Sequence, residues 1–168
     1  MSSAPEPPRL HVVDLTAADG EAVLAFLAPR LRAQMDAHYG TETHKTASAL
    51  DALLRSAEHT VRHQSQALAA DSFHDGRARL RCLHALQDAW NTLWRAVFPW
   101  RDEEGYDHAR WVHVEYHDAE DAARYDAMKA EVAAELDAEA AAADPGADTF
   151  GAGETGVDTY RLARGRNA

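Results

Sequence analysis

Apolar residues recur at helical spacing through most of the chain. Leu24, Leu27, Leu31 and Met35 stand three or four apart and predict a helix from just after Thr16 to about Ala37, with T-A-A-D (16–19) as a capping-box-like start. Pro29 falls inside it and predicts a kink, or a break near Ala28, because a ring nitrogen cannot donate to the preceding turn. Leu50, Leu54, Ala57, Val61 and Leu68 share one face and predict a second helix over about 44–70, with Leu53 at its margin. Asp75 is a good N-cap and Pro99 a natural stop. Between them Leu80, Leu83, Leu86, Trp90, Leu93, Trp94 and Val97 form one broad apolar face, which marks the central helix of the fold. Asp118 caps a fourth helix over about 119–143, with Tyr125, Met128, Val132 and Leu136 on its apolar side.

The period changes in two places. R-L-H-V-V-D-L (9–15) and W-V-H-V-E-Y (111–116) alternate instead, and are expected to pair as a minor two-stranded ribbon over 10–14 and 111–116. The expected fold is therefore mainly α, a bundle of about four helices. Its limits follow composition. Residues 1–8 hold three of the six prolines and read as a flexible N-terminal arm; 9–143 form a single helical domain; 144–168, opening on D-P-G, read as a disordered Gly-rich tail.

Charge narrows the function. The net charge is −11, and it is uneven: residues 1–100 carry 10 Lys and Arg against 11 Asp and Glu, residues 101–168 carry 7 against 17. Such an acidic C-terminal third repels phosphate backbones and makes direct nucleic-acid binding unexpected. It leaves open an acidic mimic of nucleic acid. No run of residues has the length and apolarity of a membrane span, and the N-terminus lacks a signal-peptide pattern. A single cysteine, Cys82, allows no internal disulfide and suits the reducing cytoplasm, where the protein is expected.

The most chemically suggestive stretch is W-V-H-V-E-Y-H (111–117). On a strand, His113, Glu115 and His117 would project from one face and offer three ligands to a divalent metal such as zinc. On a helix, only the two histidines would meet. The alternate residues Val112, Val114 and Tyr116 favour an amphipathic edge that buries them and leaves the His/Glu row in water. His59 and His63, spaced i, i+4 on the second helix opposite its leucines, form a second weak candidate. Neither has the H-E-x-x-H pattern, and no cofactor is otherwise expected. Nucleophilic catalysis has no signature: there is no G-x-S-x-G elbow, and Cys82 does not face His84 on a helix. Arg77, Arg81 and Arg95 share one side of the third helix. They read either as a small anion patch or as a salt-bridged face neutralised by Asp75, Asp88 and Glu58. Trp100, Tyr106 and Trp111 are candidates for a partner-binding aromatic patch.

Three stretches, A-F-L-A-P-R-L (25–31), F-H-D-G-R-A-R-L-R-C-L-H-A-L (73–86) and F-P-W-R-D-E-E-G-Y-D-H-A-R-W (98–111), resemble in order an uncharacterised family of small actinobacterial and phage proteins. Residues 41–70 do not match, and Gly76 stands where that family has proline. The resemblance implies a helical accessory protein. The expectation is thus a non-enzymatic interaction or accessory protein of an actinobacterium or its phage, with a protein partner and self-association as one option. A metal-binding protein or metal-dependent enzyme, and an acidic mimic, are the alternatives.

Overall fold

The computed structural model describes residues 9–143, with side-chain surroundings to residue 140. The arm over 1–8 and the tail over 144–168 lie outside the described residues. Four helices follow in order: α1 (Ala17–Ala37), α2 (Glu42–Ala70), α3 (Gly76–Val97) and α4 (Ala119–Ala143), with short 3-10 turns at Val12–Asp14 and Phe98–Trp100. The described residues divide into two units, one ending at residue 127 and the other beginning at residue 128.

In the first unit α1, α2 and α3 pack on one another around a core built from Val23 and Leu27 of α1, Leu54 and Val61 of α2, and Leu86, Trp90, Leu93 and Val97 of α3. Trp90 is fully buried, as the central position of its stripe predicts, whereas Trp94 is half-buried and rests on Phe98 and His113. The predicted faces are wider than the seams they fill: Leu50, Leu53 and Leu80 are 38 %, 65 % and 45 % exposed. Gly20 lets α1 come close to α2, since a Cβ there would lie 3.2 Å from Val61 Cγ1.

The helix ends follow local chemistry. Asp75 accepts from the Ala78 amide and Asp118 from that of Asp121, each as an N-cap. Gly40, at φ +77, turns the chain between α1 and α2. α1 runs unbroken through Pro29, so a break near Ala28 does not occur. Ala25 and Pro29 both face solvent, where water can satisfy the carbonyl that the proline leaves free, and the Arg30 guanidinium donates to the next one, Phe26 O, at 2.7 Å.

The two-stranded ribbon is corrected: the described residues contain no strand. Residues 12–14 turn as a 3-10 helix, and 112–116 belong to no regular element. The two segments do meet, through Val12 N to Tyr116 O and Val13 N to His117 O, each 3.0 Å. Further pairing is pre-empted, because α3 side chains take the backbone groups that a neighbouring strand would need.

In the second unit the described residues are the remainder of α4. Residues 128–140 are exposed throughout, including Met128 at 53 %, Val132 at 48 % and Leu136 at 60 %. None of its helical surface is long and apolar enough to cross a membrane, and the same holds for every other described helix.

Candidate functional site

The W-V-H-V-E-Y-H segment lies along α3, held by three side chains that sequence patterning did not single out as polar contacts. Asn91, 7 % exposed, clamps Val114 in both directions: its Nδ2 donates to Val114 O at 2.9 Å and its Oδ1 accepts from Val114 N at 3.0 Å. Gln87 Nε2 donates to Val114 O and Glu115 O, and Trp90 Nε1 to Val112 O at 2.9 Å. Fixed this way, the segment points Val114 into the core and leaves His113 and Glu115 exposed. Asn91→Leu should lower stability by about 1–3 kcal/mol, because the Val114 amide is left buried without an acceptor. Faster hydrogen exchange at Val114 is expected alongside. An unchanged exchange rate would contradict the clamp.

The three candidate ligands are not gathered. His113 Nδ1 lies 3.9 Å from Glu115 Oε1, but His117 turns away: its Nδ1 is 3.9 Å from Asp121 Oδ2 and its ring lies 4.9 Å from that of His84. The alternation breaks at His117 because the chain there enters the cap of α4, with the His117 amide donating to Asp121 Oδ2. His59 and His63 stay exposed on α2 with ring centroids 6.4 Å apart. Among the described residues no three His, Cys, Asp or Glu side chains converge as a metal would require.

The aromatic patch is mostly turned inward. Trp111 is 5 % exposed, Tyr106 packs against it edge-on at 5.1 Å and donates its hydroxyl to Trp111 O, and Trp100 is half-buried against the core. Arg30 binds the same loop to α1, pairing with Glu103 at 3.0 Å and lying 3.7 Å over the Phe26 ring. These residues build the loop over 98–111. Tyr106 and Trp111 line a shallow groove with Trp94, Phe98 and His113.

The strongest electrostatic feature is also internal. Arg110 reaches across 91 residues to grip Asp19 with two hydrogen bonds, 2.6 and 2.7 Å, and donates to Asp14 O as well. Thr16 adds its amide and its hydroxyl, both at 2.7 Å. Burial works to raise the Asp19 pKa, but the hydrogen bonds from Arg110 and Thr16 outweigh it and hold the carboxyl below its ordinary value. Cys82 is a packed thiol: burial raises its pKa, and its Sγ lies 3.4 Å from Gln64 O. That environment opposes a thiolate nucleophile.

Besides the groove of about 230 Å³ lined by Trp94, Phe98, Tyr106 and Trp111, two larger grooves are found among the described residues of the first unit. One, of about 600 Å³, lies between Leu15 and Thr16, the end of α2 at Ser65 and Leu68, and Arg79. The other, of about 360 Å³, runs between α2 and α3 over a floor of Ala57, Ala85 and Ala89. The arginines beside this second groove lack the expected neutralisation. Among the described residues Arg77, Arg81 and Arg95 form no ion pair and no side-chain hydrogen bond.

No protein-family model matches the chain, and neither does a curated protein or a solved structure.

Proposed function

We propose that this chain is a non-enzymatic interaction protein of the cytoplasm, of the accessory type that the family resemblance implies, and that α4 carries its docking face. One observation carries the reading: Met128, Val132 and Leu136 repeat every four residues on a helix whose described length beyond residue 127 is exposed throughout. An apolar row maintained on an exposed helix contributes little to the stability of its own chain, while it offers a partner the burial that drives association. The metal-dependent alternative is less well supported, because His117 is drawn to Asp121 and away from His113 and Glu115.

The doubly polar variant Val132→Gln/Leu136→Gln tests the reading. A docking face predicts that, in dilute solution, its unfolding free energy stays within about 0.5 kcal/mol of the parent. Any loss seen at high concentration should fade on dilution, as association linkage requires. A loss of stability that persists at every concentration would show that the row serves folding, and the reading would fail.

A further inference from the structure

We infer that the partner of α4 is a second copy of this chain, whose α2–α3 groove receives the Met128, Val132 and Leu136 row. The inference rests on the docking-face reading above and adds the identity of the occupant.

The groove is apolar at its floor and open. Small residues, Ala57, Ala85 and Ala89, line it, and Leu53 stands 65 % exposed at one edge. Small side chains let a helix backbone approach closely, and an exposed leucine at the rim gives the incoming helix an apolar contact.

Charge then selects the occupant. On α3 the positions Arg77, Arg81 and Arg95 fall within about 40° of one another, in a row bordering Ala85 and Thr92. The row carries one carboxylate, Asp88. On α4, Glu131, Glu135 and Glu139 are spaced i, i+4, i+8. So are Met128, Val132 and Leu136, and the two rows lie side by side, about 60° apart. None of these three glutamates forms an ion pair among the described residues. One surface thus joins a groove of alanines edged by hydroxyl side chains and Asp88 to arginines, and the other joins an apolar row to glutamates, none of these arginines or glutamates being ion-paired among the described residues. Their lengths agree: Arg81 to Arg95 spans about 21 Å of helix and Met128 to Glu139 about 17 Å.

Pairing α4 with α4 would instead bring together two helices that each carry seven carboxylates against Arg124 and Lys129. Reciprocal exchange, with each α4 in the other copy's groove, closes a two-fold dimer and forms the contact twice.

Charge reversal with exchange tests this directly. One variant carries Arg81→Glu and Arg95→Glu; the other carries Glu131→Lys and Glu135→Lys. Light scattering of the wild-type chain, 18.4 kDa, should show a dimer that weakens as salt rises. Each variant alone should dissociate at least tenfold more readily, since its own α3 and α4 now repel. Mixed in equal amounts, they should regain the dimer, because both contacts are opposite in charge in the mixed species. All four positions are exposed, and far-ultraviolet circular dichroism should confirm the fold of each variant. As a second measurement, Leu136→Cys on one chain and Thr92→Cys on another should cross-link under mild oxidation, whereas Asp137→Cys, on the opposite side of α4, should not.

A wild-type chain that is monomeric at all concentrations overturns the inference. So does a dimer that either reversal leaves intact, or a mixture that fails to associate. In each of those cases the polar α4 variant still decides the docking-face reading, which fails only if stability is lost at every dilution.

Discussion

Replacing Trp90 with alanine should cost about 3–5 kcal/mol, the lost transfer energy of the ring plus the cavity it leaves. Trp90 is fully buried at the centre of α3, among Leu86, Leu93 and Val97. It also fills a second role, since its indole nitrogen satisfies the Val112 carbonyl at 2.9 Å. Trp90→Phe separates the two: it keeps most of the packing and leaves the carbonyl unpaired, for an expected cost of about 1–3 kcal/mol. Domains are stable by only about 5–15 kcal/mol, so the alanine variant should unfold at a much lower denaturant midpoint, with a similar slope if it remains two-state. A midpoint near the parent value would mean that α3 does not occupy the centre of the core.

Breaking the Asp19–Arg110 pair should produce the second large loss. Removing one partner of a buried ion pair typically costs about 3–5 kcal/mol, because the other charge stays desolvated. The Arg110 side chain is 34 % exposed and that of Asp19 9 %, so water screens part of the interaction, and Arg110→Ala should cost about 2–3 kcal/mol. Arg55→Ala, which removes an exposed pair with Asp51 on one helix, should cost far less. Equal effects of the two substitutions would refute the structural weight given to Arg110.

The same pair predicts an acid dependence with a definite sign. Asp19 has a folded-state pKa below its ordinary value. At a pH between the folded and unfolded values the unfolded chain binds more protons, so stability rises with pH there. The contribution is fully present above about pH 4 and is lost as pH falls through the depressed folded value. Asp118 is lowered as well, chiefly by the hydrogen bond from the Asp121 amide, and adds to the same slope. Asp19→Asn should therefore show a shallower loss of stability below pH 4 than the wild type. Parallel acid profiles would exclude Asp19 as a source of the slope.

Much of the helical framework was legible because helix ends are decided by a few adjacent residues. Asp75, Asp118 and Pro99 act within their own turn, and the predicted ends agree with α3 and α4 to within a residue or two. The burial of Trp90, Leu83, Leu86 and Leu93 likewise follows from spacing on one helix, since a broad apolar face has to leave water. Charge balance and the absence of nucleophile signatures are sequence properties of the same kind.

The candidate site was legible only in part. Alternation correctly placed Val114 inward and left His113 and Glu115 exposed, but it also put His117 on that exposed row, whereas His117 is half-buried where the chain enters the cap of α4. The aromatic residues 100, 106 and 111 read as available because a polar loop surrounds them; within the loop Tyr106 donates to Trp111 O, and Arg30, far away in sequence, ties the loop to α1 through Glu103. Gln87 and Asn91 look like ordinary polar helix positions. Nothing local marks Asn91 as the partner of a backbone 23 residues away. Arg110 and Asp19, separated by 91 residues, are likewise joined only once α1 and the loop over 98–111 meet.

The chain's own residue order determined where helices start, where they stop and which face of each is apolar, because those are contests between neighbours a turn apart. It did not determine what each face would meet. Leu54 and Leu53 are adjacent on α2, yet one is 1 % exposed and the other 65 %. The Met128, Val132 and Leu136 row has the spacing of a core-facing stripe and stays in solvent. Periodicity specifies a direction around a helix, but burial needs a second surface at that place, and only the tertiary structure brings one there or leaves it out.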